Sequence, residues 1–138
     1  MSTFLLEIVT PDHLAYSGEV DGLTVYGIEG ALGILPGHIP FITPLQVAPI
    51  SIKKGNEYSS IAVSGGFVEV RQDKVVVLAE SAELEKEIDV ERAVAAKERA
   101  ERRLDAIKRN QADIDFQRAE LSLKRAMNRI EVYSHVKK

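Results

Sequence analysis

Glycine and proline are confined to one part of this 138-residue chain. All nine glycines fall between Gly18 and Gly66, and all five prolines between Pro11 and Pro49. From Phe67 to Lys138 there is neither. Both residues punctuate turns and are costly inside helices, so the first half reads as a turn-rich β unit and the second as helix. Charge divides the chain as well. Residues 1–85 hold 4 basic and 11 acidic side chains, net −7, and residues 86–138 hold 14 basic and 10 acidic, net +4, which together give the chain's −3. The boundary falls near Glu83 to Glu87, and two domains are expected, 1–85 and 86–138.

Composition then removes several classes. Hydrophobic residues make up 45% of the chain, enough for a packed core rather than general disorder. Cysteine is absent, which excludes a disulfide framework, a thiol nucleophile and a cysteine zinc knuckle. No apolar run approaches the roughly 18–20 residues of a membrane span; a run near the middle is Val75 to Ala79. Met1 to Thr10 lacks the basic segment of a signal peptide, so a soluble protein on the cytosolic side is expected.

Strand patterns fill the first half. Short apolar or alternating runs cover Thr3 to Thr10, Leu23 to Tyr26, Val47 to Lys53, Tyr58 to Val63, Phe67 to Val70 and Val75 to Leu78. Turn signals close them: Pro11-Asp12, Gly27, Lys54-Gly55-Asn56 and Gln72-Asp73-Lys74. Gly65-Gly66 permits a bulge or tight bend. Strands at this spacing predict an antiparallel sandwich or barrel. Val75 to Ala79 is apolar throughout, which predicts a central strand covered on both faces.

Helical periodicity takes over after Asp89. Ala93, Ala96, Ala100, Leu104 and Ile107 form one stripe; Phe116, Ala119, Leu123, Ala126 and Ile130 form another. Asp89 and Asp113 are suitable N-caps, and the short polar stretch Lys108 to Ala112 predicts an αα-hairpin. Each helix of about 18 residues would run about 27 Å. The first stripe is mostly alanine, and a buried methyl contributes only about 0.8 kcal/mol. The hairpin is therefore expected to dock marginally, as a conformational switch requires, although any short two-helix appendage has a similar composition.

Candidate chemistry is sparse. His13, His38 and His135 are far apart and show no paired ligand spacing, so no metal site is expected. His38 in Leu35 to Pro40 reads as a packed connection rather than a base. There is no nucleophile elbow and no Walker loop, and no enzyme is read here. Arginine remains. Arg92 and Arg99 share a face of the first helix, and Arg125 and Arg129 share a face of the second. Should those faces meet, four guanidinium groups converge, a set suited to phosphate oxygens. The competing reading is a solvated surface with pairs such as Glu98 with Arg102 and Asp105 with Arg109, worth little. Nucleic acid is the weaker partner for so mixed a charge; an acidic protein surface is another.

Gly33 to Pro40 (GILPGHIP), then Ser64 to Val70 (SGGFVEV), then a charged helix pair resemble the epsilon subunits of F-type ATP synthases over nearly the whole chain. The resemblance implies an α+β fold: an N-terminal antiparallel β-sandwich of about ten strands and a C-terminal two-helix antiparallel hairpin. It also implies a non-catalytic rotor subunit of the central stalk, peripheral to the cytoplasmic face of a bacterial membrane. The sandwich would bind the gamma subunit and the c-ring. The hairpin would fold onto the sandwich, or extend toward the alpha and beta subunits and inhibit ATP hydrolysis. A basic hairpin reaching an acidic segment of beta agrees with the +4 charge.

A narrower resemblance concerns Ile88 to Ala93 (IDVERA), similar to the I/L-D-x-x-R-A motif of epsilon subunits from Bacillus-like bacteria that bind ATP when folded. It implies Glu83, Ile88, Asp89, Arg92, Ala93 and Arg99 as nucleotide ligands, with Arg125 and Arg129 from the second helix. ATP would be a regulatory ligand; Mg2+ is left open. The alternatives are a purely structural stalk subunit and a hairpin adaptor for an unrelated acidic partner.

Overall fold

A computed structural model describes residues 2–110 and 116–136, with the last two residues of each long helix described by backbone alone. Eight strands lead the described chain: β1 (Phe4–Val9), β2 (Leu14–Val20), β3 (Gly22–Gly27), β4 (Gly30–Ile34), β5 (Phe41–Lys54), β6 (Glu57–Val70), β7 (Lys74–Ala79) and β8 (Ala82–Leu84). A 3-10 turn at Glu85–Glu87 leads into α1 (Val90–Asn110) and α2 (Phe116–Val136). The architecture is the expected sandwich followed by two helices, with eight strands where about ten were expected. The neighbour order is β2-β1-β7-β6-β5-β3-β4, with β8 on β6. Most ladders are antiparallel, but β1 and β7 run parallel, Leu6 beside Val75 and Ile8 beside Val77.

Two long strands make the two layers. β5 and β6 have 14 residues each and pair along nearly their full length. Phe41 to Leu45 face Gly66 to Val70 in the layer that holds β1, β2 and β7. Val47 to Lys54 face Glu57 to Ser64 in the layer that holds β3, β4 and β8. The turn between layers passes through Gly65 (φ 69°) and Gly66 (φ 124°), conformations that side-chain-bearing residues rarely adopt. A Cβ on Gly66 would lie 2.0 Å from the Leu78 carbonyl oxygen, so β7 crosses where no side chain fits.

Alternation decides which residues face inward. Phe4, Leu6 and Ile8 of β1, Leu23 and Val25 of β3, Ile50 and Ile52 of β5, and Val75 and Val77 of β7 are buried in one core. β7 is central, as the apolar run predicts, but its outer face is covered only in part: Val76 is buried, whereas Leu78 is 48% exposed beside Phe67 at 51%. The reason is placement of the hairpin, which packs on β5 and β6 and leaves the outer face of the other layer open.

The helices are 21 residues each, somewhat longer than expected. Asp89 caps α1 as predicted, accepting from the Arg92 N–H at 3.1 Å. The Asp113 cap and much of the connecting stretch lie outside the described residues. The alanine stripes meet: Ala93, Ala100 and Ile107 of α1 and Ala119 and Ala126 of α2 are buried. α2 carries the docking, while α1 packs mainly along α2. The apolar tie to the sandwich is small, namely Ala62, Ile88 and Val132 with Tyr133 against them, separate from the main core. Burying Ile88 and Val132 contributes about 1.5–3 kcal/mol each before ordering entropy is subtracted.

Polar contacts fix the register of that dock. Asn128 is 5% exposed and its Nδ2 donates to the Val63 carbonyl at 2.9 Å. Asn128→Ala leaves that carbonyl without this donor and should weaken docking by about 1–2 kcal/mol. Amide exchange in α2 should accelerate several-fold while the sandwich amides hold their rates. Unchanged exchange in α2 would remove Asn128 as the register pin.

Candidate functional site

The junction between domains forms a cavity of about 450 Å3 lined by Glu83, Glu87, Asp89, Arg92, Ala93, Ala96, Arg99 and Arg129. That volume suits a small organic ligand. Its floor is assembled by three short-range decisions. β8 ends at Leu84, and the Glu87 carboxylate accepts from the Leu84 N–H at 2.9 Å. Asp89 then stops the turn and starts α1. One helical turn later Arg92 and Ala93 face the cavity, and Arg99 follows two turns on, about 10 Å along the axis.

The charges are sorted along this cavity. Glu83, Glu87 and Asp89 lie at the junction, while Arg92 and Arg99 run away from it on α1 and Arg129 enters from α2. Arg129 Nε lies 2.5 Å from Glu83 Oε1 in a half-buried pair. One end can accept hydrogen bonds from a ligand's N–H groups; the other can bind an anion.

Six of the eight residues singled out in the sequence line this cavity: Glu83, Asp89, Arg92, Ala93, Arg99 and Arg129. Two do not. Ile88 is 7% exposed and points into the small apolar cluster with Ala62 and Val132, so its side chain supports the floor. Arg125 is held elsewhere: Nε donates to Ser64 Oγ at 2.9 Å and Nη2 lies 3.5 Å from Glu80 Oε2. The four guanidinium groups therefore do not converge; three line the cavity. The reason is that α2 presents Arg125 to the Gly65-Gly66 bend, where β6 offers the Ser64 hydroxyl.

Sequence reasoning missed Glu87 and Ala96. Glu87 lies two residues before the cap and could have been found as a third carboxylate at the junction. Ala96 continues the recognised alanine stripe. Among the described residues the anticipated pair of Glu98 with Arg102 is not formed; Glu120 and Lys124 make an i,i+4 pair at 3.5 Å. His13 joins a turn with Thr10, and His38 packs edge-on to Phe41 with ring centroids 5.3 Å apart. Among the described residues no cluster of three or more histidine and carboxylate groups could hold a metal ion. No described helix is long and apolar enough to cross a membrane.

The structure defines a β-sandwich bearing a docked helical hairpin, with a charged cleft between them. Family comparison makes the class specific. The family models for the ATP synthase delta/epsilon chain match here, its β-sandwich domain at residues 3–85 and its long alpha-helix domain at residues 86–134. The chain belongs to the ATP synthase delta/epsilon family, as a bacterial F-type epsilon chain, a subunit distinct from the catalytic ones. It is 57% identical over 132 residues to the ATP synthase epsilon chain of Halalkalibacterium halodurans, covering 96% of this chain and 98% of that one. It is 52% identical over 132 residues to that of Bacillus cytotoxicus, covering 96% and 97%. The fold matches a chain in the cryo-EM structure of the Euglena gracilis mitochondrial ATP synthase at TM-score 0.78 and 21% identity, covering 100% of this chain and 83% of that one.

Proposed function

We propose that this epsilon chain is a central-stalk rotor subunit whose hairpin acts as an ATP-sensitive brake on hydrolysis. ATP binds the junction cavity and favours the folded hairpin. When ATP falls, the hairpin extends toward the alpha and beta subunits and blocks hydrolysis. The observation that carries this reading is the sorted charge of the cavity: carboxylates at the junction can accept from an adenine amino group, and Arg92, Arg99 and Arg129 can take phosphates.

The energetics are compatible. A ligand at 100 times its dissociation constant stabilises the state it binds by about 2.7 kcal/mol. That suffices only where docking is already nearly balanced, a condition that the small apolar tie and the alanine seam support. The sandwich would hold the gamma subunit and the c-ring, so that the chain meets the cytoplasmic face of the membrane only through the complex. Supporting that role, Phe67 and Leu78 are directly opposite each other on an open face, with Ile42 64% exposed on the same side.

Calorimetric titration of the chain with ATP, and with ADP as comparison, tests the reading. Saturable binding that prefers ATP is expected. Arg92→Ala should weaken it about 10–100-fold, the loss of one charged hydrogen-bonding partner, with the sandwich still folded. The purely structural alternative is favoured by the Glu83–Arg129 pair, which already partners that arginine without a nucleotide. Absence of ATP binding at millimolar concentration would decide for it.

A further inference from the structure

Between α2 and the sheet lies a second cavity, of about 260 Å3, with no lining residue in common with the first. Its floor is a row of hydroxyls across three adjacent strands: Thr24 of β3 is in register with Ser51 of β5, and Ser51 with Ser60 of β6. Glu131 and Val132 of α2 form the roof, and Tyr26 stands at the mouth, 41% exposed. Ser60 is 8% exposed. Among the described residues, none of the three hydroxyls and neither oxygen of the Glu131 carboxylate has a side-chain hydrogen-bond or ion-pair partner. These polar atoms are open to solvent rather than committed to protein partners, with Glu131 exposed, so they are free to meet a ligand.

The chemistry of the lining selects the ligand. The charged group at the cavity is a carboxylate, and the hydroxyl oxygens can accept as well as donate. An ammonium group has three donors and no acceptor, so one carboxylate and two hydroxyls complete it. A tyrosine at the mouth favours a cation, and Pro49 gives methylene groups an apolar wall. We propose that this cavity binds a primary ammonium on a short aliphatic chain, either a free diamine or a lysine side chain of a neighbouring subunit. Because floor and roof come from different domains, the site is complete only while α2 is docked, and its ligand favours the folded hairpin. The proposal does not depend on the nucleotide reading.

The test is an NMR titration of the isotopically labelled full chain with 1,4-diaminobutane and with Nα-acetyl-lysine amide, using 1,4-butanediol as the uncharged control. Saturable shifts at Thr24, Ser51, Ser60 and Val132 are expected, with a dissociation constant on the order of 1 mM for an exposed carboxylate partner. The tighter of the two amines names the source. Glu131→Gln, which keeps the shape, should weaken binding about 10-fold, and Ser51→Ala should weaken it without unfolding the chain. At 100 times the dissociation constant, α2 amide exchange should slow about 100-fold. Equal binding of the diol, unaltered affinity in Glu131→Gln, or no saturable shift at about 50 mM amine would overturn the proposal.

Discussion

Gly66→Ala is expected to destabilise the sandwich by about 4 kcal/mol or more, the sum of backbone strain at positive φ and a forced displacement of β7. The new Cβ would lie 2.0 Å from the Leu78 oxygen and 2.9 Å from the Ala79 Cα, both backbone atoms that cannot swing aside. At about 4–8 °C per kcal/mol for a domain of this size, thermal unfolding followed by circular dichroism should shift down by roughly 15 °C or more. The neighbouring glycine supplies the contrast. Gly65 also has positive φ, but the nearest atom to a Cβ added there is in the Glu80 side chain, at 3.9 Å. Gly65→Ala should therefore cost only about 1–2 kcal/mol. Equal losses at the two positions would mean that the close crossing of β7 over the bend is not what requires glycine.

Removing residues 88–138 should leave a folded sandwich that no longer binds ATP or restrains hydrolysis. The structural reason is that the main core lies wholly within the strands, whereas the hairpin is tied on through Ala62, Ile88 and Val132. Truncation exposes the Ala62 and Ser64 surface but withdraws no side chain from the main core. Melting of the truncated chain should stay within a few degrees of the sandwich transition in the full chain, and binding to the gamma subunit should persist. Reconstituted into the complete enzyme, it should raise ATP hydrolysis under conditions where the full chain inhibits. A truncated chain that inhibits fully would remove the hairpin from the mechanism.

Both expectations begin from features visible in the sequence, but they do not end there. Segregation of glycine and proline marks the two structural classes, because turns need those residues and helix interiors exclude them. Two helical stripes and the Asp89 cap predict α1 and α2 because a helix repeats every 3.6 residues and must satisfy its first N–H groups locally. The strands Leu14–Val20 and Gly30–Ile34 escaped this reading. Their inward and outward residues alternate poorly, and pairing to β1 and β3 holds them in place.

Much the same division runs through the candidate site. Residues close in sequence, from Glu83 to Arg99, are placed together by one turn and one helix, and a motif on that segment is legible without a fold. Which arginine of α2 joins them is a tertiary matter. Arg125 and Arg129 share a helix face, yet Ser64 and Glu80 hold one while Glu83 holds the other. The strand supplying Ser64 is more than sixty residues away in the chain, and its approach is set by the bend at Gly65-Gly66. The hydroxyl row of Thr24, Ser51 and Ser60 has the same origin. Sequence by itself determined where strands give way to helices, the Asp89 cap and the local half of the charged cleft, because those follow from backbone sterics and short-range hydrogen bonds. Strand register and the seating of α2 decided everything that joins distant residues, because long-range pairing is chosen by packing of the whole core.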